Sequence, residues 1–275
     1  MLSKILIAPF VIGALVFLYL AWEVHAGYSI YMVPCVAGFM LVYLLSPQID
    51  WWWFKYYPPK LHVALRHLIN TQLPFYQNLA VGDKERFRTR MALYMHANDF
   101  TAQGMDDMPL DLKGVIAATV VQLTFGLEDF LLNKFEHIIV YPHPFPSPQF
   151  PDKWHISEIY EEDGVLMFSA GHLMKGFFQP HQYFHIGLYE YARVFRRCHP
   201  DASWPAFGAD GWKKLELVSG MPHESIVKYI GLPEVDPVAV AVAHFFVFQE
   251  RFKAVMPQEY GRISTILNTE RAVGG

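Results

Sequence analysis

Two uncharged apolar runs, Ile5–Trp22 (ILIAPFVIGALVFLYLAW) and Tyr28–Leu45 (YSIYMVPCVAGFMLVYLL), are separated only by Glu23-Val-His-Ala-Gly27. Each run has 18 residues, which at about 1.5 Å rise per residue gives about 27 Å, close to the thickness of a bilayer's hydrocarbon core. The pair is expected to form a transmembrane hairpin. The first run is long for a cleaved leader, has no small-x-small pattern before Glu23 and is followed at once by the second, so both are expected to remain as anchors. Lys4 precedes the pair and Lys55, Lys60 and Arg66 follow it, while the connecting loop has no lysine or arginine. The positive-inside rule then keeps both termini in the cytoplasm and places the protein in the inner (cytoplasmic) membrane. Trp51, Trp52, Trp53, Phe54, Tyr56 and Tyr57 come directly after the second run, where indole and phenol rings favour the headgroup zone.

Tandem proline at Pro58-Pro59 cannot continue a helix. The chain is therefore divided into a membrane hairpin with its aromatic belt, residues 1–57, and one cytoplasmic domain, residues 58–275. With 275 residues, of which 53% are hydrophobic, the chain is long enough for one well-buried domain beyond the hairpin. A net charge of -4 with scattered lysine and arginine offers no basic stripe, so nucleic acid is not an expected partner. Cys35 and Cys198 are too few and too far apart in sequence for a disulfide framework or a cysteine zinc site.

Within the domain, helical periodicity predicts helices over Leu61–Gln77, from an Asp83 N-cap to about Ala97, and over Asp111 to about Leu127. The last is apolar on most faces and therefore central. The period then changes. A short strand at His137–Tyr141 and a hairpin of Ile156–Tyr160 with Val165–Ser169 across Glu162-Asp163-Gly164 imply a small antiparallel sheet. Helices follow at about His181–Arg197, from near Pro222, from Pro237 to about Ala254 and after Pro257. The architecture is α+β and dominated by helices.

Taken in order, "IAATVVQLTFGLEDFLLNKFEHIIVYPHPF", "DGVLMFSAGHLMKG", "HIGLYEYARVF" and "VAVAVAHFFVFQERFKAVMPQEYGRI" resemble the blocks of the Mlc titration factor A family of zinc peptidases. The resemblance covers nearly everything after about Gln72. It implies a gluzincin-like fold in which two histidines of a His-Glu-x-x-His helix and a downstream carboxylate hold zinc while the motif glutamate acts on metal-bound water. Carried over residue by residue, Tyr189 stands at the first histidine, Glu190 at the general base, Arg193 at the second histidine and Ala243 at the third, acidic ligand.

Alanine cannot bind zinc, tyrosine does so rarely, and arginine is a permanent cation at the place it would occupy. No zinc is expected there. Arg193 lies three residues from Glu190 on the same helix face and is expected to supply the charge that a metal would otherwise bring.

His181 and His185, spaced i and i+4, form an alternative pair for zinc, with His244 or His172 as a third ligand. Gln182 fills the general-base slot of that frame and makes a poor base. The functional expectation is a membrane-anchored, catalytically inactive peptidase relative that binds a protein partner as a subunit of a membrane complex. Its rivals are an active membrane-tethered metallopeptidase built on His181 and His185, and a protein that sequesters a transcriptional regulator at the membrane.

Overall fold

The computed structural model describes residues 2–269 and divides into two compact units, Met1–Pro59 and Lys60–Gly275. In the first unit α1 (Leu2–Glu23) leads through a 3-10 turn (Ala26–Tyr31) into α2 (Met32–Leu44) and α3 (Ser46–Tyr56). Leu2–Glu23 and Ala26–Leu44 are long and apolar enough to cross a membrane. The two cross closely, since a Cβ on Gly38 would fall 2.2 Å from the Phe10 ring and one on Gly13 would fall 3.0 Å from Cys35 Sγ. Ser3, on α1, donates both its amide (3.0 Å) and its hydroxyl (2.7 Å) to Asp50 on α3. The aromatic belt is helical, with Trp52 packed against Tyr56 and Trp53 against Tyr57 one turn apart, their rings tilted at centroid distances of 5.0 and 4.3 Å.

The second unit runs α4 (Val63–Gln72), α5 (Pro74–Gln77), α6 (Val81–Ala97), β1 (Asp99–Ala102), α7 (Leu110–Thr124), β2 (His137–Tyr141), β3 (Ser157–Tyr160), β4 (Val165–Ser169), α8 (Ala170–Phe178), α9 (Ile186–Cys198), α10 (Gly211–Ser219), α11 (His223–Ile230), α12 (Pro237–Val247), α13 (Gln249–Val255) and α14 (Pro257–Leu267). Helix α7 is the hub. Every residue from Gly114 to Thr124 is buried, because α4, α6, α8 and α9 all pack on it. The α4 contact depends on Gly114, where a Cβ would come 2.4 Å from Leu65 Cδ2.

The sheet corrects one expectation. It is mixed, in the order β1-β2-β4-β3, with β1–β2 and β2–β4 parallel and only β3–β4 antiparallel. The hairpin is present as read, with Gly164 at φ +62 in its turn. The parallel part arises because α7 connects β1 to β2 as a crossover, which an antiparallel sheet does not need. β1 escaped the sequence pattern because its four residues alternate between exposed and half-buried positions without a hydrophobic run.

Three helices also differ from expectation. Leu61–Gln77 breaks at Leu73, the residue before Pro74, where the α conformation is disfavoured. The 237–254 helix breaks at Phe248, with φ -121 and ψ 44. Asp83 lies in the first turn of α6, paired with Arg86 at 3.2 Å, while Ala80 is the N-cap.

Candidate functional site

The motif helix begins at Ile186, not His181, because His185 is its N-cap. Its Nδ1 accepts the Leu188 amide at 3.2 Å. His181 lies in the turn that precedes the helix, so the two histidines do not share a helical face and the i, i+4 geometry expected of them is absent.

From that cap, α9 carries Tyr189, Glu190 and Arg193 along its buried side. Glu190 has no exposed surface. Its Oε1 accepts the Ser157 hydroxyl from β3 at 2.6 Å and Arg193 Nη1 at 3.1 Å, and its Oε2 accepts the same Nη1 at 2.8 Å. A buried carboxylate needs this kind of satisfaction, since an unpaired one is costly. Burial alone would pull the Arg193 guanidinium down, but the adjacent Glu190 carboxylate outweighs it and holds the group above its ordinary range. The cation also lies 5.5 Å from the centre of the Tyr189 ring.

Tyr189 is fully buried, and its hydroxyl accepts the backbone amide of Asp236 at 3.1 Å. Burial first, and then the Glu190 charge, raise its phenol well above the usual range, so it stays neutral. Asp236 joins the two helices in three ways. Besides that amide, its Oδ1 caps α12 by accepting from Val238 at 2.9 Å, and its Oδ2 forms an ion pair with Arg196 of α9. Ala243, the position of the third ligand, is buried within α12.

These residues do not fit a zinc ion. Alanine offers no donor atom, the Tyr189 oxygen is neutral and already engaged, and the guanidinium bonded to Glu190 would repel a dication.

The His181 ring packs on Phe248 at 5.2 Å, and His244 packs on the same ring at 5.7 Å and on Phe184 at 6.3 Å. Both ring nitrogens of His244 are buried without a hydrogen-bond partner among the described residues, and burial pulls its pKa down to about 3. His172 instead shares a hydrogen bond with Ser169 at 3.0 Å and packs on Tyr229. Among the described residues no three His, Cys, Asp or Glu side chains gather as a metal-binding group.

Sequence reasoning identified the Glu190–Arg193 pair and missed Ser157 and Asp236. The Asp236-Pro237 step is a legible helix start. Ser157 carries no local signal, because its partner lies 33 positions away.

No curated protein matches the chain. The family model described as glucose-regulated metallo-peptidase M90, a family that includes the Mlc titration factor, matches residues 53–192, a stretch that takes in Tyr189 and Glu190, and the chain belongs to this family.

Proposed function

We propose that this protein is a membrane-anchored, catalytically inactive member of the M90 metallopeptidase family that serves as a protein-binding or assembly subunit of a membrane complex. The observation that carries this reading is the state of Glu190. General-base catalysis needs a carboxylate that reaches a water or substrate proton. Here both oxygens are occupied by Ser157 and Arg193, with no surface left for either. Function follows the site rather than the fold, and the Glu190–Arg193 ion pair at the motif positions supports a structural role for them. The apolar helices α1 and α2 and the aromatic α3 support an anchor in the inner membrane. The lysines and arginines flanking the hairpin support cytoplasmic placement of both ends.

A second reading, a zinc peptidase using His181, His185 and His244, draws on one observation: His181 and His244 both pack on Phe248, and among the described residues neither nitrogen of His244 has a partner. It requires His185 to bind metal. That ring already accepts an amide on Nδ1, so in its neutral form it carries its proton on Nε2.

The test is the metal content of the purified full-length protein by elemental mass spectrometry, beside a His181→Ala/His185→Ala variant, together with a peptidase assay. Absence of zinc and of activity in both supports the first reading. Near-stoichiometric zinc that is lost in the variant, with peptide hydrolysis, overturns it. Proteins that co-purify from membranes then distinguish an assembly partner from a sequestered transcriptional regulator.

A further inference from the structure

A cavity of about 950 Å³ opens in the second unit between α5, α7, α8, α9, α12 and α13. It is separate from the motif cluster, since Ser157, Tyr189, Glu190 and Arg193 are not among its lining residues. Its walls are apolar, with Leu73, Leu79, Phe177, Leu188, Phe245 and Phe248 facing it. Among the polar side chains of that lining, Ser264 is buried with its hydroxyl already bonded to Thr269, and two more are over nine-tenths buried: Gln122 is 6% exposed and His185 is 5% exposed.

Both have unused hydrogen-bonding capacity. Gln122 lies near the C-terminal end of α7, among residues buried on every side, and its side-chain amide has no hydrogen-bond partner among the described residues. His185 accepts the Leu188 amide on Nδ1, which leaves an Nε2–H with no partner among the described residues. Buried polar groups are nearly always paired, and a pair left open at the wall of a cavity is suited to bonding whatever enters.

The charged side chains Glu250, Arg251 and Lys253 also line the cavity, but all three are exposed and stand at its mouth. The buried end therefore offers donors and an acceptor without charge. Burial pulls His185 down to about 4, so the ring is neutral at pH 7.

We propose that this cavity is a binding site for a small neutral amphiphile, whose apolar body lies against Phe177, Leu188, Phe245 and Phe248 and whose hydroxyl or carbonyl bonds to the Gln122 amide and His185 Nε2–H. A charged head group is excluded from the buried end, because transfer of an ion out of water without a counter-charge is far costlier than transfer of a hydroxyl. The site is independent of the catalytic state of Glu190.

The test uses the full chain in lipid nanodiscs and three probes of equal length: octan-1-ol, octanoate and octylammonium. Binding is read by saturation-transfer difference NMR, with the signal of empty nanodiscs subtracted. Octan-1-ol is expected to bind tightest. Gln122→Leu, which keeps the side chain's size, should weaken it about fivefold by removing one net hydrogen bond. His185→Asn retains a capping side chain and should weaken it by a similar factor, and Leu188→Trp should fill the cavity and abolish binding. Equal octan-1-ol binding by wild type and Gln122→Leu overturns the proposal, and so does tighter binding of either charged probe. If Leu188→Trp does not fold, Gln122→Leu alone decides.

Discussion

Arg193 Nη1 lies 2.8 and 3.1 Å from the two carboxylate oxygens of Glu190, one turn back on the same helix, and Ser157 donates to the same carboxylate from the sheet. On the proposed reading the pair is structural, which gives it a signature in stability. Arg193→Met leaves a fully buried carboxylate without a counter-charge and should destabilise the fold by about 3 kcal/mol. Glu190→Leu/Arg193→Met together should recover most of that loss, because replacing a buried pair with apolar groups is often neutral. Denaturant unfolding of the two single variants and the double variant measures the coupling. A loss below about 0.5 kcal/mol for Arg193→Met would place the pair among ordinary surface ion pairs.

Stability should fall in acid through the buried histidines. His185 and His244 have folded pKa values of about 4 and about 3, below the ordinary 6.5. The unfolded chain therefore binds protons that the folded one refuses. Their contribution is complete above pH 6.5 and declines as pH falls, each by about 1.4 kcal/mol per pH unit until its folded value is reached. His244→Phe removes one such group along with its unpartnered nitrogens and should make the decline between pH 6 and 4.5 shallower by about half. Thermal unfolding across that range, for wild type and variant, reads the difference.

A second buried contact makes the opposite kind of prediction. The hydroxyls of Tyr94 on α6 and Tyr191 on α9 meet at 2.9 Å, both fully buried. Tyr191→Phe orphans the Tyr94 hydroxyl and should cost about 1–3 kcal/mol, while the double Tyr94→Phe/Tyr191→Phe should cost less than either single change. Burial raises both phenols above the ordinary 10.0. Above pH 10 the unfolded chain releases protons that the folded chain keeps, so stability should drop there, and it should drop less steeply in the double variant.

For the anchor, the two helices imply sidedness. In a Cys35→Ser/Cys198→Ser background, a cysteine introduced at Val24 should be labelled by an impermeant maleimide from the face of sealed vesicles opposite to the one that labels a cysteine at Lys60. Labelling of both from one face would mean that the helices do not span. Removal of residues 1–57 should leave a soluble, folded domain if the hairpin is only a tether, and an aggregated one if it is buried against a partner.

Periodicity in the sequence made the strongly patterned elements legible: both apolar spans, the central α7, the hairpin of β3 and β4 and the one-turn spacing of Glu190 and Arg193. What it could not show were effects that single residues exert against the local pattern. Leu73 ends a helix because of the proline after it, and His185 starts one with a ring nitrogen where serine or aspartate would be the usual signal. The apolar run ends at Phe248, but Gln249-Glu250-Arg251 are good helix formers with no proline or glycine among them, so nothing local marks the backbone break there. At the site, the local ion pair was readable and its distant supports were not. Ser157 and Asp236 reach the motif through the packing of β3 and α12 on α9, a relationship without any period along the chain.

The strand order leaves the sheet with two unlike borders. On one side β3 is last, yet Ser157, Glu158 and Ile159 are buried, α9 lies against the strand, and the end of α11 bonds into the residue just before it through Ile230 O and Ile156 N. On the other side β1 keeps Asp99 and Thr101 exposed. Backbone pairing with another polypeptide, whether a partner or a misfolded copy, is thereby steered to the β1 margin, where four residues and a charged aspartate offer it a short and unwelcoming template.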